Sequence, residues 1–523
     1  MIINFSWLHP QELPTPVKAF LLSIALVTVS FLLQGNIGIN LGDEGFLWYG
    51  TIQTGMGEVP VRDFQSYDPG RYYWGAAWCK IFGNYSLLSL RISNSIFQAV
   101  GLTFGLLSLR RITKSYWILT VEGLVLLLWM YPRHKLFEPS IAMAAVYFAI
   151  LLIENPSLVQ HLIAGVFVGV AAFLGRNHGL YTFASFFLLI IFIWLKLDRT
   201  NLFRRLLAWV GGIILGYYPM FFMLAVVPGF FDSFVDSIKF LFRFGRTNLP
   251  LPVPWFWRAD YSKLNLIQSA NAFFTGLFFL MFPVFNALAA IYLCFIKRDS
   301  IRENPTLVAS SFVSFTYMHY AFSRADLPHL GQAIHPLLIG LISLPSALPS
   351  GYKKKLSISL LSITLVGTLL SVGLSSYYYL KATAPSDLYV QKKIGSDRIW
   401  IDLGTANLID TVSTINSQLV KQNEGLLIAP HWPMFYPILG RKSPVWDIYL
   451  LFPETDTRQK EMIEELRKQN VNWIILGDVA LDGRDDLRFK NTHPLLYQHF
   501  KDKFEVVANK GLPENYQLLH RRQ

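Results

Sequence analysis

Apolar stretches long enough to cross about 30 Å of hydrocarbon recur throughout the first 375 residues, and they dictate what this chain can become. They fall near 17–36, 91–109, 116–131, 138–153, 157–175, 179–195, 206–227, 271–296, 305–322, 330–348 and 355–374. Peptide groups find no water partner in lipid, so each stretch has to be a helix. Eleven such spans predict an α-helical polytopic membrane protein. Composition agrees: 53% of the 523 residues are hydrophobic and only 15% are charged, against about 25% in ordinary soluble domains.

The net charge of +12 does not point to nucleic acid, because the basic residues form no single patch or stripe. They sit in short groups at alternate connections: Arg110, Arg111 and Lys114; Lys196, Arg199, Arg204 and Arg205; Lys297, Arg298 and Arg302; Lys353, Lys354 and Lys355. The positive-inside rule then puts the N-terminus in the cytoplasm of a cell with this chain in its inner (plasma) membrane. Residues 37–90, 132–137, 176–178, 228–270 and 323–329 fall outside, as does everything after about 375. The first apolar run lacks a small-residue cleavage pattern, so we expect a retained span rather than a signal peptide. Cys79 and Cys294 then lie near opposite faces, too far apart for a disulfide.

The expected domains are a spanning body, 1–375, with long outer loops 37–90 and 228–270, and a soluble periplasmic α/β domain, 376–523. Residues 46–52 and 230–241 read as helices lying in the interface plane, and Arg243, Arg246 and Arg258 as contacts to lipid headgroups. In the C-terminal part, 425–430 and 473–478 read as short buried strands. Asp456 is expected to cap a helix that runs through Arg467. This domain has neither a Gly-rich phosphate loop nor a nucleophile motif. We expect it to cover the site or choose the acceptor, through a surface around Tyr436 and Arg441.

The chemistry-bearing residues collect in the outer connections. Gly42-Asp43-Glu44-Gly45 follows the first span directly. Asp43 there is either a helix cap or a general base held at the membrane surface, with Glu44 in the first helical turn. Asp63 is a second acidic candidate, or a structural partner of Arg62 or Arg71. Asp68-Pro69-Gly70 is a turn signal. The turn 323–330 holds Arg324, Asp326 and His329, and an arginine fork suits a phosphate diester. Arg176 and His178 form a similar pair that we rank above Arg133, His134 and Lys135. His335 reads as a bonded core histidine. Carboxylates and permanent cations on one membrane face suit transfer of a group from a lipid phosphate.

These motifs carry a resemblance. Gly42-Asp43-Glu44-Gly45, the stretch from Gly57 through Val59-Pro60-Val61-Arg62-Asp63-Phe64 to Asp68-Pro69-Gly70, and Ile428-Ala429-Pro430 with Leu439-Gly440-Arg441 resemble the GT-C membrane glycosyltransferases. The nearest groups are bacterial relatives of protein O-mannosyltransferases and of the lipid A aminoarabinose transferase. The resemblance implies a polyprenyl-phosphate sugar donor, an inverting mechanism and Asp43 as base. Asp68-Pro69-Gly70-Arg71 stands where relatives often show a Pro-Pro pair. Arg324, His329, Arg176 and His178 are the expected donor-phosphate ligands, with Glu44 and Asp63 supporting Asp43. No cofactor is required; a divalent metal is compatible, but no His/Asp/Glu set has ligand spacing. The acceptor can be a lipid, a glycan or a protein. A lipid-linked polysaccharide polymerase or ligase is the alternative enzyme. A transporter or flippase would need ionisable groups within the spans, where Glu122 is the main candidate.

Overall fold

In the computed structural model, residues 14–245, 248–385, 387–509 and 511–522 are described; Arg246 and the polar stretch before residue 14 lie outside them. Helix α1 (Thr15–Gln34) leads into a long connection with its own helices, α2 (Asp43–Gly55) and α3 (Pro69–Ile81). There follow α4 (Leu87–Leu109), α5 (Tyr116–Trp129), α6 (Phe137–Glu154), α7 (Leu158–Leu174) and α8 (Arg176–Lys196). A bent pair, α9 (Leu202–Gly216) and α10 (Tyr218–Val226), precedes α11 (Phe230–Phe244) in the second long connection. After α12 (Leu266–Phe295) and the short α13 (Arg298–Glu303) come α14 (Pro305–Ser323), a second bent pair, α15 (Leu327–Ala333) and α16 (His335–Ser343), then α17 (Ser350–Ser371) and α18 (Tyr377–Thr383).

Every expected apolar stretch is helical, but length and apolarity together qualify fewer spans than eleven. Among the described residues six helices pass, α1, α4, α6, α8, α12 and α17, and eight do if each bent pair is one span. Helices α5 and α7 have 14 and 17 residues, only about 21 and 26 Å of rise. Helix α14 has twelve of its nineteen residues buried and carries Ser310, Ser311, Ser314, Tyr317 and Tyr320 among its apolar residues. The bends, 54° and 59°, occur at Tyr218-Pro219 and His335-Pro336, where proline removes a helix N–H and its ring crowds the preceding turn. The chain is an integral membrane protein.

The helices are held by close backbone approach as well as by apolar side chains. Gly165 and Gly169 of α7 face Gly212 and Gly216 of α9. A Cβ at Gly165 would lie 2.0 Å from the Trp209 carbonyl, and one at Gly212 would lie 2.2 Å from that of Leu162. Both are Gly-xxx-Gly spacings, the small-residue seam that lets membrane helices pack without an inter-helix hydrophobic effect.

Beyond α18 the chain becomes α/β. Strands β1 (Tyr389–Ile394) and β2 (Asp397–Asp402) form an antiparallel hairpin, followed by α19 (Leu403–Gln418). Strand β3 (Gly425–Ala429), α20 (Phe435–Leu439), α21 (Asp456–Lys468), β4 (Val471–Gly477), α22 (Phe489–Thr492), α23 (Pro494–Lys503), β5 (Phe504–Val507) and β6 (Tyr516–Arg521) complete it. The sheet order is β3-β4-β6-β5, with only β3 and β4 parallel. Thr455, not Asp456, caps α21, its hydroxyl accepting from the Arg458 N–H.

This α/β unit caps one end of the helical body, and α2 is the layer between them. Phe46, Leu47, Trp48 and Tyr49 share a core with Ile428, Met434, Phe435 and Tyr436. The first interface-plane helix of the sequence reading is therefore a buried one. Gly45 allows this approach, since a Cβ there would lie 2.4 Å from the Met434 backbone nitrogen; at Gly42 it would lie 2.5 Å from the Tyr449 hydroxyl. Tyr436 and Arg441 are not an open surface. Tyr436 is 1% exposed and its hydroxyl accepts from the Ile428 N–H, while Arg441 donates to Asn416 and to the Glu424 carbonyl. Arg243 reaches Glu454 of the cap at 3.0 Å, so its partner is a carboxylate of the chain.

Gly212→Val should lower the melting temperature of the purified protein, overpacking of this kind costing about 1–3 kcal/mol. Its neighbour is the control. A Cβ at Gly211 meets nothing, so Gly211→Val should melt within a few degrees of the parent. Equal melting of the two variants would remove the glycine seam from the account of how α7 holds α9.

Candidate active site

The connection from α1 to α2 is pinned by one carboxylate. Glu44, 2% exposed, takes both Nε and Nη2 of Arg91 at 2.8 Å, and Nε of Arg133 at 3.0 Å. The two guanidiniums spend their other donors on the chain's turn: Arg91 on the Gly35 and Gly38 carbonyls, Arg133 on those of Ile37 and Gly38. Burial works against the charge on Glu44, yet Arg133 and Arg91 hold its carboxyl well below the ordinary range. Both oxygens are consumed in holding this turn, so Glu44 is a structural lock.

Its neighbour is placed differently. Asp43 opens α2, but Asn40 does the capping, its side-chain oxygen accepting from the Asp43 N–H at 2.8 Å. The Asp43 side chain is released from that duty and keeps 40% of its surface accessible, with Oδ2 3.6 Å from Nε2 of His134. That imidazole nitrogen is itself buried and has no closer hydrogen-bond partner among the described residues. Burial opposes the Asp43 charge, but His134, Lys135 and His329 outweigh it and hold the carboxyl well below the usual carboxylate range.

Lys135 comes from the same 132–137 turn. Its Nζ donates to the Tyr67 hydroxyl and lies 3.9 Å from that ring's centroid. No carboxylate lies within ion-pair distance of it among the described residues. Burial lowers its affinity for a proton while Asp43 and Glu138 restore part of it. Arg71 covers the same ring at 4.8 Å and pairs at 2.9 Å with Glu138 of α6. The low-ranked Arg133-His134-Lys135 turn thus supplies all three of its side chains to this region. The available signal was the three consecutive cations beside Glu138 at the start of an apolar run, since charges at a membrane edge are seldom left without partners.

The cations ranked higher are already engaged. Arg324 donates to Asp326 through Nε at 2.8 Å and to both oxygens of Asp482 at 2.8 Å. His329 Nδ1 lies 2.7 Å from the other oxygen of Asp326. Arg176 gives its backbone N–H and Nε to Asp68, so Asp68 closes the N-terminus of α8 from another loop. His178 is buried against Tyr317, 3.1 Å from its hydroxyl. Asp63 is held by Arg62 and by the Val59 N–H in a turn that docks on α10 and α11, with Val61 at φ 74° packed against Met220, Met223 and Phe230. It shares no partner with Asp43. His335 bonds to the Leu126 carbonyl, as a core histidine should. Glu122 is held by Thr113 of the α4–α5 connection. Among the described residues no group of three His, Cys, Asp or Glu side chains is arranged to hold a metal.

Lock and crevice should separate on mutation. Removing one partner from a buried ion pair costs about 3–5 kcal/mol, so Glu44→Gln should melt far below the parent, while Asp43→Asn should lose much less. Thermal unfolding in detergent decides it, and equal losses at the two positions would contradict the lock.

The architecture has solved counterparts. ArnT from Cupriavidus metallidurans bound to undecaprenyl phosphate is 13% identical, with a TM-score of 0.55 over 97% of this chain and 98% of that one. The apo state of the same protein is 14% identical, with a TM-score of 0.52 and the same coverage. No protein-family model matches the chain, and no curated protein sequence matches it. At such identity the likeness is one of fold, and it extends over nearly the whole of both chains. This chain has the fold of those two ArnT structures over nearly its whole length.

Proposed function

We propose that this chain is a membrane glycosyltransferase that moves a sugar from a polyprenyl-phosphate donor to an envelope lipid, glycan or protein, with inversion. One observation carries the reading: a half-open carboxylate, Asp43, stands at the seam of helical body and cap, ringed by His134, Lys135 and His329. The solved counterpart that binds undecaprenyl phosphate supports it by fold. In this reading the body is 1–375 with eleven spans, its short helices crossing where the bilayer thins or the body shields them. The N-terminus is cytoplasmic, and the cap, 376–523, lies on the outer face of the inner membrane.

The acceptor's nucleophile gives its proton to Asp43 as its lone pair attacks the anomeric carbon. The bond from that carbon to the phosphate oxygen breaks, and the phosphate leaves with the electron pair. Attack opposite the leaving group inverts the centre. Cations take up the charge on the departing phosphate, so no general acid is needed. Lys135 is the amine with no carboxylate to displace, and His329 faces the same crevice. Arg176 and His178 are engaged elsewhere and support the walls. Neither a cofactor nor a metal is called for, because these cations neutralise one phosphate.

A carboxylate held far down in pKa is a weak base. Donor phosphate arriving at Lys135 draws that charge away from Asp43 and raises its basicity, so base and donor are coupled. Asp43→Asn should keep insertion and donor binding and lose on the order of 10²–10⁴ in turnover, read as release of prenyl phosphate by mass spectrometry from a panel of polyprenyl-phosphate sugars. Wild-type turnover in that variant would favour the polymerase or ligase alternative. Lys135→Met removes one of the charges that hold Asp43 down, so the acidic limb of its pH–rate profile should move to higher pH.

Orientation has its own test, in a chain lacking Cys79 and Cys294. A cysteine at Ser396 should react with an impermeant reagent outside intact spheroplasts, and one at Asp299 should not. The reverse pattern would move Asp43 to the cytoplasm and end this reading.

A further inference from the structure

The Arg324 fork joins the two halves of the molecule. Asp326, on its Nε, belongs to the body; Asp482, on both Nη atoms at 2.8 Å, belongs to the cap. One guanidinium therefore faces two carboxylates, and His329 shares the first of them. The Arg324 and Asp482 side chains are 18% and 16% exposed, so the pair is within reach of solvent.

The segment that carries Asp482 is anchored to the cap at both ends, at Asp478 by Asn515, Arg488 and Lys490 and at Asp485 by Arg488 and Asn491, and it reaches the body at its tip. Between Gly477 at the end of β4 and Leu487 no residue is buried. Asp482 has φ 56° and Gly483 has φ 71°. Aspartate and glycine both adopt this left-handed turn backbone. The Arg324 ion pair is what ties this loop to the body. The loop also stands beside the crevice: Tyr449, whose hydroxyl overhangs Gly42, feels the charges of both Asp43 and Arg324.

We infer that Arg324 is a phosphate-binding site that the chain's own Asp482 occupies at rest, and that a substrate phosphate opens the seam by taking the place of Asp482. A carboxylate presents two oxygens to the guanidinium edge as a phosphate does, but a phosphate brings a further oxygen and more charge. Displacing Asp482 frees the tip of the loop, between Asp478 and Asp485, and leaves Asp326 and His329 in place. Only the lipid-linked source of the phosphate rests on the proposed donor; the site itself does not.

The test measures hydrogen–deuterium exchange of residues 478–488 in the full chain in nanodiscs, with undecaprenyl phosphate, inorganic phosphate or phosphatidylglycerol added in separate arms. Undecaprenyl phosphate should raise exchange about fivefold, as for loss of a partly exposed ion pair. Asp482→Asn should be open without any addition and bind undecaprenyl phosphate more tightly by a similar factor. Asparagine tolerates the left-handed backbone, so this variant keeps its fold. Arg324→Gln should also be open, gain no exchange on addition and bind more weakly, with Arg324→Lys between it and the parent. Opening by inorganic phosphate or phosphatidylglycerol alone would keep the site and overturn its assignment to the donor. Exchange in Asp482→Asn no faster than in the parent, or no response of the parent to any phosphate that it binds, would overturn the proposal. Sugar transfer is not the readout, so absence of transfer with an opening latch would sink the glycosyltransferase reading and spare the site.

Discussion

Glu44 between Arg91 and Arg133 is the constraint on which the site depends. A buried ion triad is weak evidence for net stability, because desolvating three charges offsets most of their attraction. Its consequence here is geometric. The two guanidiniums also bind the carbonyls of Gly35, Ile37 and Gly38, so the path from the first span to α2 has one solution. Asp43, the preceding residue, is set beside His134 by a lock it does not belong to. Asn40 takes the capping duty and leaves that carboxylate half-open.

The second condition is that the cap can come close. Gly42 and Gly45 flank the two acids, and each lies where a side chain would strike the cap, at Tyr449 and at Met434. The glycines of this motif are there for the approach of a second layer, and the acids between them for two unlike purposes. The seam so formed is polar on one side, with Arg324 and Asp482, and apolar on the other, with Phe46, Tyr49 and Phe435. An apolar seam holds two layers together, whereas an ion pair near solvent can exchange its partner.

Much of this was legible in the sequence. Lipid leaves a backbone no alternative to the helix, so the apolar runs marked the helices to within a few residues. The strands at 425–430 and 473–478 were legible for the related reason that short apolar runs bounded by turn residues have to be buried. What periodicity could not give was the count of spans. Hydropathy of a window does not distinguish a helix that crosses lipid, such as α12, from one enclosed by other helices, such as α14. The Gly165–Gly169 and Gly212–Gly216 spacings were readable as a seam, but which two helices would meet there was not.

For the site, the sequence determined which residue types stand in the connections: carboxylates in the first loop, and arginine, lysine and histidine in three others. Tertiary structure alone decided which of them are free. Arg324, Arg176 and Glu44 look as available in sequence as Lys135 and Asp43, since each is a charge at a loop. A charge at the edge of a bilayer takes the nearest opposite charge, and that neighbour comes from a distant part of the chain: Asp482 for Arg324, Asp68 for Arg176, Arg91 for Glu44. Pairing across such separations is set by how the helices pack. Lys135, left on an aromatic ring with no carboxylate in ion-pair reach among the described residues, is therefore a fact of the fold and not of the sequence.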